Sequence, residues 1–199
     1  RRQWRFPLDA RVIVVAGDVV PHKGHIWLFR ALPELANRFP DLRIVLVGRF
    51  RRGEHCTNRL RKFLVDHKLY KRVKWIGHRN NMQDMLGAAD LVEVPSTVEA
   101  VGMVALESMA VSTPVIASKT GGLAELVVDG HNGLLVPPRE PGALAESICR
   151  VLNDADLAEE LSAGGGQTIA NEYAPERITA RIERVLASAS RVVKDRVAA

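Results

Sequence analysis

Cysteine, aromatic residues and long apolar runs are all scarce in this chain, and each scarcity closes off a class of protein. The two cysteines, Cys56 and Cys149, lie far apart in helical patterns, so neither a disulfide framework nor a zinc site has support. Both read as small packing or surface residues. Aromatics make up 5% of the residues and do not interleave with basic ones, which removes the stacking platform of a single-strand nucleic-acid binder. No stretch approaches the ~18 consecutive apolar residues of a membrane span. The opening RRQWRFPLDA has no apolar signal-peptide core, and the six histidines show no metal-ligand spacing. The expectation is a soluble, cytoplasmic protein.

What is present is ordinary in amount and uneven in placement. At 199 residues, 47% hydrophobic and 26% charged, the chain can bury one good-sized core. Its net charge of +5 is concentrated: residues 49–80 carry eleven Lys or Arg against Glu54 and Asp66, a local +9, which leaves 17 basic against 21 acidic residues elsewhere. Such a segment is either a solvated helix face or a surface for phosphates and anionic lipid.

Short β-rich apolar runs alternate with helical patterns, the mark of a parallel sheet covered on both faces. The strands expected are VIVVA (12–16), IVLVG (44–48), VKWIG (73–77), LVEV (91–94), PVIAS (114–118) and GLLVP (133–137). Helices are expected at 25–39, 54–65, 82–88 and 102–110. The fold class is therefore α/β: a single Rossmann-like, doubly wound parallel sheet of about six strands with extra C-terminal helices. Those helices are expected at 141–152, 156–163 and 175–196, with Gly164-Gly165-Gly166 interrupting. Residues 1–9 read as a linker or tail, 10–199 as the domain, and 174–199 as a last helix that packs across it through Ile178, Ile182, Val185 and Leu186. Asp154-Ala-Asp156 spells a metal-binding DxD, but Asp156 with Glu159 at a helix start reads better as a cap.

Ligands of an open parallel sheet bind beyond the carboxyl ends of its strands. Two loops suit that place. In Gly17-Asp18-Val-Val-Pro-His-Lys23-Gly24 a lysine stands just before a helix, where it can meet a phosphate together with the helix dipole. In Pro95-Ser-Thr-Val-Glu99-Ala-Val101-Gly102-Met103-Val104-Ala-Leu-Glu107 a glycine opens a helix whose free amides, from Val101 to Val104, suit an anion. Glu99 lies before that helix and Glu107 within it, and a carboxylate is a double acceptor for a vicinal diol. The pattern describes a nucleotide sugar: Glu107 on a ribose, Glu99 on the second sugar, the amides on a diphosphate. Solvated surface glutamates and a paired glycosidase acid and base are the other readings of the same spacing.

The run PSTVEAVGMVALESMAVSTPVIASKTGGLAELVVDGHNGLLVPP, residues 95–138, resembles the signature region of the retaining glycosyltransferases of family 4, with its Glu-x7-Glu, its TPVIAS..GG..E strand and its DG..G.LV.P turn. The similarity extends upstream through Gly17–Gly24 and Leu46–Arg49, so it spans about residues 10–160. It implies a GT-B enzyme of two Rossmann-like halves facing a cleft, with this chain resembling the second, donor-binding half. An acceptor-binding half would precede it, and the C-terminal helix would cross back to that half. Neither an essential metal nor another cofactor is implied, and no protein nucleophile. By position, Lys23 would touch the diphosphate and Glu99 the transferred sugar, the two catalytic positions. Glu107 would take the ribose, the amides of Val101, Gly102, Met103 and Val104 the distal phosphate or sugar, and Gly17, Asp18, Arg49 and His78 would border the donor and its base.

The chain departs from that pattern where Gly17-Asp18-Val19 replaces Gly-Arg-Leu. An aspartate there repels a diphosphate by ~1–4 kcal/mol for unit charges ~4 Å apart, unless Arg49 or Arg51 supplies the cation or Asp18 points away. Ser112 stands where glycine is usual, and Val111 where cysteine is common. The partners implied are a nucleotide-sugar donor and a sugar or lipid acceptor held by the other half, with the 49–80 segment available for peripheral membrane contact and no nucleic acid expected. Two rivals remain: a nucleotide-binding module that no longer catalyses, and a basic surface module for anionic lipid or nucleic acid.

Overall fold

The computed structural model describes residues 1, 4, 6–50 and 53–197, with side chains described through 189. Six parallel strands, β1 (Val12–Ala16), β2 (Arg43–Val47), β3 (Val73–Gly77), β4 (Leu91–Val94), β5 (Val115–Ser118) and β6 (Leu134–Val136), form one sheet in the order β3-β2-β1-β4-β5-β6. The strands are apolar throughout because both faces are covered. Ile13 and Val15 of β1 join the core on one face, while Val12, Val14 and Ala16 join the core on the other. Helices α1 (His25–Arg38) and α2 (His55–Asp66) supply the first core, with Leu28, Leu32, Leu60 and Leu64. Helices α3 (Met82–Gly87), α4 (Met103–Ala110) and α5 (Gly121–Leu126) supply the second. The short helix α5 lies in a stretch where the sequence pattern gave no helix.

The strand order reverses direction at β1. The chain leaves β1 toward β2 and β3 and leaves β4 toward β5 and β6, while β1 and β4 are neighbours. The β1–α1 and β4–α4 loops therefore part at the carboxyl edge and leave a crevice between them, the switch point at which such sheets bind ligands.

Three expectations about the C-terminal helices are corrected. Helix α6 (Pro141–Asn153) is followed by α7 (Ala155–Thr168), which runs straight through Gly164-Gly165-Gly166. A Cβ on Gly164 would lie 2.0 Å from the His131 carbonyl oxygen, and one on Gly165 would lie 3.0 Å from Met109 Cγ. The glycines let α7 press onto its neighbours; they do not end it. The cap of α7 is Asp154, whose Oδ1 accepts from the Leu157 amide at 3.0 Å, and not Asp156. After a π-helical turn at Ile169–Tyr173, α8 (Pro175–Val197) leaves the body of the domain, with Ile182, Val185 and Leu186 more than half exposed. Its apolar stripe does not pack across this domain. At the other end, residues read as linker or tail lie against the sheet: Trp4 is buried, and Arg1 Nη2 meets Asp90 Oδ1 at 2.7 Å.

Candidate functional site

The two loops at the switch point are stitched together by backbone. The Thr97 amide donates to the His22 carbonyl at 2.7 Å, and the Thr97 hydroxyl donates to the same oxygen at 3.2 Å. Between α1 and this stitch sits Gly24, at φ +68°, where a Cβ would lie 1.8 Å from the Pro95 carbonyl oxygen. Only glycine satisfies both the left-handed backbone and the approach.

Across the stitch the charged residues meet. Lys23 Nζ lies 2.6 Å from Glu99 Oε2, and the Ser96 hydroxyl donates to the same oxygen at 3.0 Å. Burial disfavours the ionised form of Glu99, but Lys23, Ser96 and the Gly102 amide together outweigh it and hold the carboxyl below its usual range. The stem of Lys23 runs over Gly17, its Cδ 3.6 Å from where a Cβ on Gly17 would be. Glu99 also fixes its own loop, since its carbonyl accepts from the Gly122 amide at 3.0 Å. Thus two residues 76 apart in sequence form one polar centre, held on both sides.

Helix α4 starts beside it. Gly102 caps the helix at φ +85°, with a would-be Cβ 2.6 Å from Leu123 Cδ2. The glycine is required by the backbone turn and by the packing of Leu123. The amides of Met103 and Val104 begin the helix and so lack partners one turn back, and the side chains around them stay open: Val101 is 55% and Met103 57% exposed. Glu107 lies one turn further into the helix, half-buried, and burial pushes its carboxyl up.

On the other flank Asp18 holds Arg49. Asp18 Oδ1 accepts from the Arg49 amide at 2.9 Å, and Oδ2 accepts from Nε at 2.9 Å and meets Nη2 at 2.7 Å. The Arg49 hydrogen bond, ahead of every other influence, lowers the Asp18 pKa, and the charge of His78 nearby lowers it further. Asp18, Arg49 and His78 therefore gather at one end of the crevice. The repulsion expected of an uncompensated Asp18 is met by Arg49. Arg51 and Arg52 lie outside the described residues. Elsewhere in the basic segment Arg72 Nη1 donates to the Pro40 carbonyl at 2.7 Å, Lys62 pairs with Asp66 at 3.0 Å, and the Arg61 guanidinium sits over Trp75. Part of that charge therefore has internal partners.

Sequence reasoning missed Ser96, although a serine three residues before an acid in a turn is a visible signal. It also missed two buried polar groups. Glu93 in β4 is fully buried, with neither carboxyl oxygen hydrogen-bonded, and burial drives its pKa well above the usual range. His25 is 3% exposed, and no ring nitrogen reaches a partner in hydrogen-bonding geometry, although the Gly17 carbonyl is near. Burial, and after it the charge of Lys23, lowers its pKa to about 4.

Fold and crevice define a Rossmann-like α/β domain of the kind that forms the halves of GT-B proteins. Residues 1–168 match the model of the family described as glycosyl transferases group 1, and the chain belongs to that family. It is 34% identical over 158 residues to a D-inositol 3-phosphate glycosyltransferase of Corynebacterium efficiens, covering 77% of this chain and 37% of the relative. It is 32% identical over 188 residues to the lipopolysaccharide core biosynthesis glycosyltransferase LpsE of Rhizobium meliloti, covering 94% and 53%. Among solved structures, Anabaena Alr3699/HepE in complex with UDP-glucose superposes with a TM-score of 0.84 at 30% identity, over 90% of this chain and 49% of that one. A crystallised C-terminal domain of the group 1 protein LpcC from Francisella tularensis gives 0.78 at 27% identity, over 86% of this chain and 91% of that one. The chain thus spans 37% and 53% of the length of these two curated relatives.

Proposed function

We propose that this chain is the donor-binding half of a retaining glycosyltransferase of family 4, acting without a metal on an acceptor held mainly by a further domain. The observation that carries the reading is the Lys23–Glu99 pair at 2.6 Å, set at the amino end of α4. A lysine ammonium has three donors. One is engaged by Glu99, which leaves two for the oxygens of a diphosphate seated on the α4 amides. Glu99 accepts from Lys23 and Ser96 through Oε2 and from the Gly102 amide, and the remaining lone pairs of its carboxyl would take the hydroxyls of the transferred sugar. Glu107 would take the ribose diol, and Asp18, Arg49 and His78 would border the base.

In transfer, the sugar–phosphate bond breaks and negative charge grows on the departing diphosphate. Fixed amides and the Lys23 ammonium aimed at that charge stabilise it without reorganising. The UDP and UDP-glucose complexes of the Anabaena structure support a nucleotide-sugar ligand for this fold. Calorimetric titration of the folded chain with UDP, GDP and ADP and their sugars, in chelator, tests the reading. Binding of at least one of these families supports it; no heat from any ligand refutes it. The configuration of the transferred sugar, read by NMR of the product made by the whole enzyme, tests retention.

A further inference from the structure

The Glu99 carboxyl has two side-chain partners among the described residues, and they differ in what else they can do. Lys23 meets Oε2 at 2.6 Å, and the Ser96 hydroxyl donates to the same oxygen at 3.0 Å. Lys23 carries its ammonium on a flexible four-carbon stem, and that charge attracts any phosphate entering the crevice. Ser96 is neutral, short and 1% exposed, and its single O–H donor is already committed to Glu99. Its backbone is anchored on both sides. Pro95, just beyond β4, keeps its carbonyl oxygen against Gly24, where a Cβ would lie 1.8 Å away. Thr97 donates to the His22 carbonyl through its amide and its hydroxyl, and its own carbonyl accepts from the Thr120 hydroxyl at 3.2 Å. Ser96 thus stands on a fixed frame, whereas Glu99 lies three residues further along the loop.

From this asymmetry we propose that Ser96 is a positioning residue for sugar recognition: from the anchored end of β4 it keeps the Glu99 carboxylate in one orientation while Lys23 turns its donors to the diphosphate. The inference rests on the donor reading above and adds to it a residue that acts through Glu99. Sugar hydroxyls donate to an ionised carboxylate, which only accepts, and such bonds weaken steeply with misalignment. Glu99 must therefore stay both ionised and aimed. The charged group facing it is Lys23, and its other partners, the Ser96 hydroxyl and the Gly102 amide, are neutral donors. Once a diphosphate shares the Lys23 charge, those neutral donors carry more of the work of keeping Glu99 ionised.

Calorimetry with whichever of UDP, GDP and ADP the wild-type chain binds, and with the matching nucleotide sugar, tests this. Ser96→Ala should keep its affinity for the nucleotide and lose about tenfold for the nucleotide sugar, the scale of a hydrogen bond to a charged group. Ser96→Cys, which fills the same space with a weak donor, should show the same selective loss and serves if the alanine chain folds poorly. A cycle with Glu99→Gln separates positioning from an independent effect: Ser96→Ala/Glu99→Gln should bind the nucleotide sugar no worse than Glu99→Gln alone. In the ligand-free chain the carboxyl-carbon NMR signal of Glu99 should titrate at higher pH in Ser96→Ala, because a donor to the ionised form is gone. Additive losses in the cycle, an equal loss of nucleotide and nucleotide sugar, or an unmoved Glu99 titration overturns the assignment. A wild-type chain that binds none of the nucleotides or their sugars refutes the donor reading and this inference together, whereas nucleotide-sugar binding left whole by Ser96→Ala refutes this inference alone.

Discussion

Two buried titratable groups with opposite protonation preferences should make the pH dependence of stability unusually flat, and removing either should expose the other. Glu93 is fully buried without partners and its pKa is raised. Above about pH 4.5 the unfolded chain releases the proton that native Glu93 keeps. The native state then binds one proton more, and stability falls by about 1.4 kcal/mol per pH unit until native Glu93 ionises. His25 acts in the other direction. Its pKa is about 4 in the native state against the usual 6.5, so between those values the unfolded chain binds the extra proton and stability rises with pH at the same slope. The gain over that window is about 3 kcal/mol. Between about pH 4.5 and 6.5 the two slopes oppose for as long as native Glu93 stays protonated, and above 6.5 the His25 slope is gone. The wild-type chain should therefore be flatter across that window than either variant. Glu93→Gln should instead gain about 3 kcal/mol up to pH 6.5 and stay level beyond it, whereas His25→Gln should decline from pH 4.5 onward. Urea unfolding at half-unit pH steps and constant ionic strength measures this. Asp18, Asp41 and Glu99 have lowered pKa values and are present in all three chains, so their contribution cancels in the comparison. Glu107, whose pKa is raised, is common to all three chains. Parallel curves for wild type and Glu93→Gln would refute the assignment of a neutral native Glu93.

Lys23→Ala should weaken UDP-sugar binding by about ten- to a hundredfold, the loss expected of charge-assisted hydrogen bonds, and calorimetry reads it directly. Glu99→Gln should spare UDP and weaken only the sugar-bearing ligand, so an equal loss for both would remove Glu99 from the sugar. Gly24→Ala puts a Cβ 1.8 Å from the Pro95 carbonyl at φ +68°. It should cost about 3–5 kcal/mol and lower the melting temperature by about 10 °C for a chain of this size. Ser112 sits at φ +54° after α4, a strained conformation for a side-chain-bearing residue. Ser112→Gly should stabilise the chain by about 1 kcal/mol, seen as a small upward shift in the urea midpoint.

The sheet was legible because a parallel sheet writes itself as uninterrupted apolar runs, and all six strands lie within a residue or two of where VIVVA, IVLVG and the others place them. The crevice was legible for a related reason, since motifs at successive strand ends must converge once the strands are parallel. What escaped was settled by packing. A triple glycine reads as a break until His131 and Met109 are seen against it. Helix α5 is only six residues long and opens on Gly121-Gly122, against every local preference. For Asp18 the sequence left three readings open, Arg49, Arg51 or an outward-turned side chain, and the structure pairs it with Arg49, 31 residues away. Ser112 departs from the family pattern in identity alone, since its backbone keeps the left-handed turn for which glycine is suited.

The seam between Thr97 and His22 has a consequence for how this molecule can vary. Because one carbonyl oxygen receives both the amide and the hydroxyl of Thr97, lengthening either loop by a single residue would shift the register of the other and separate Lys23 from Glu99. Variation tolerated at this edge should therefore be exchange of side chains at constant loop length, as with the aspartate at position 18 and its arginine at 49.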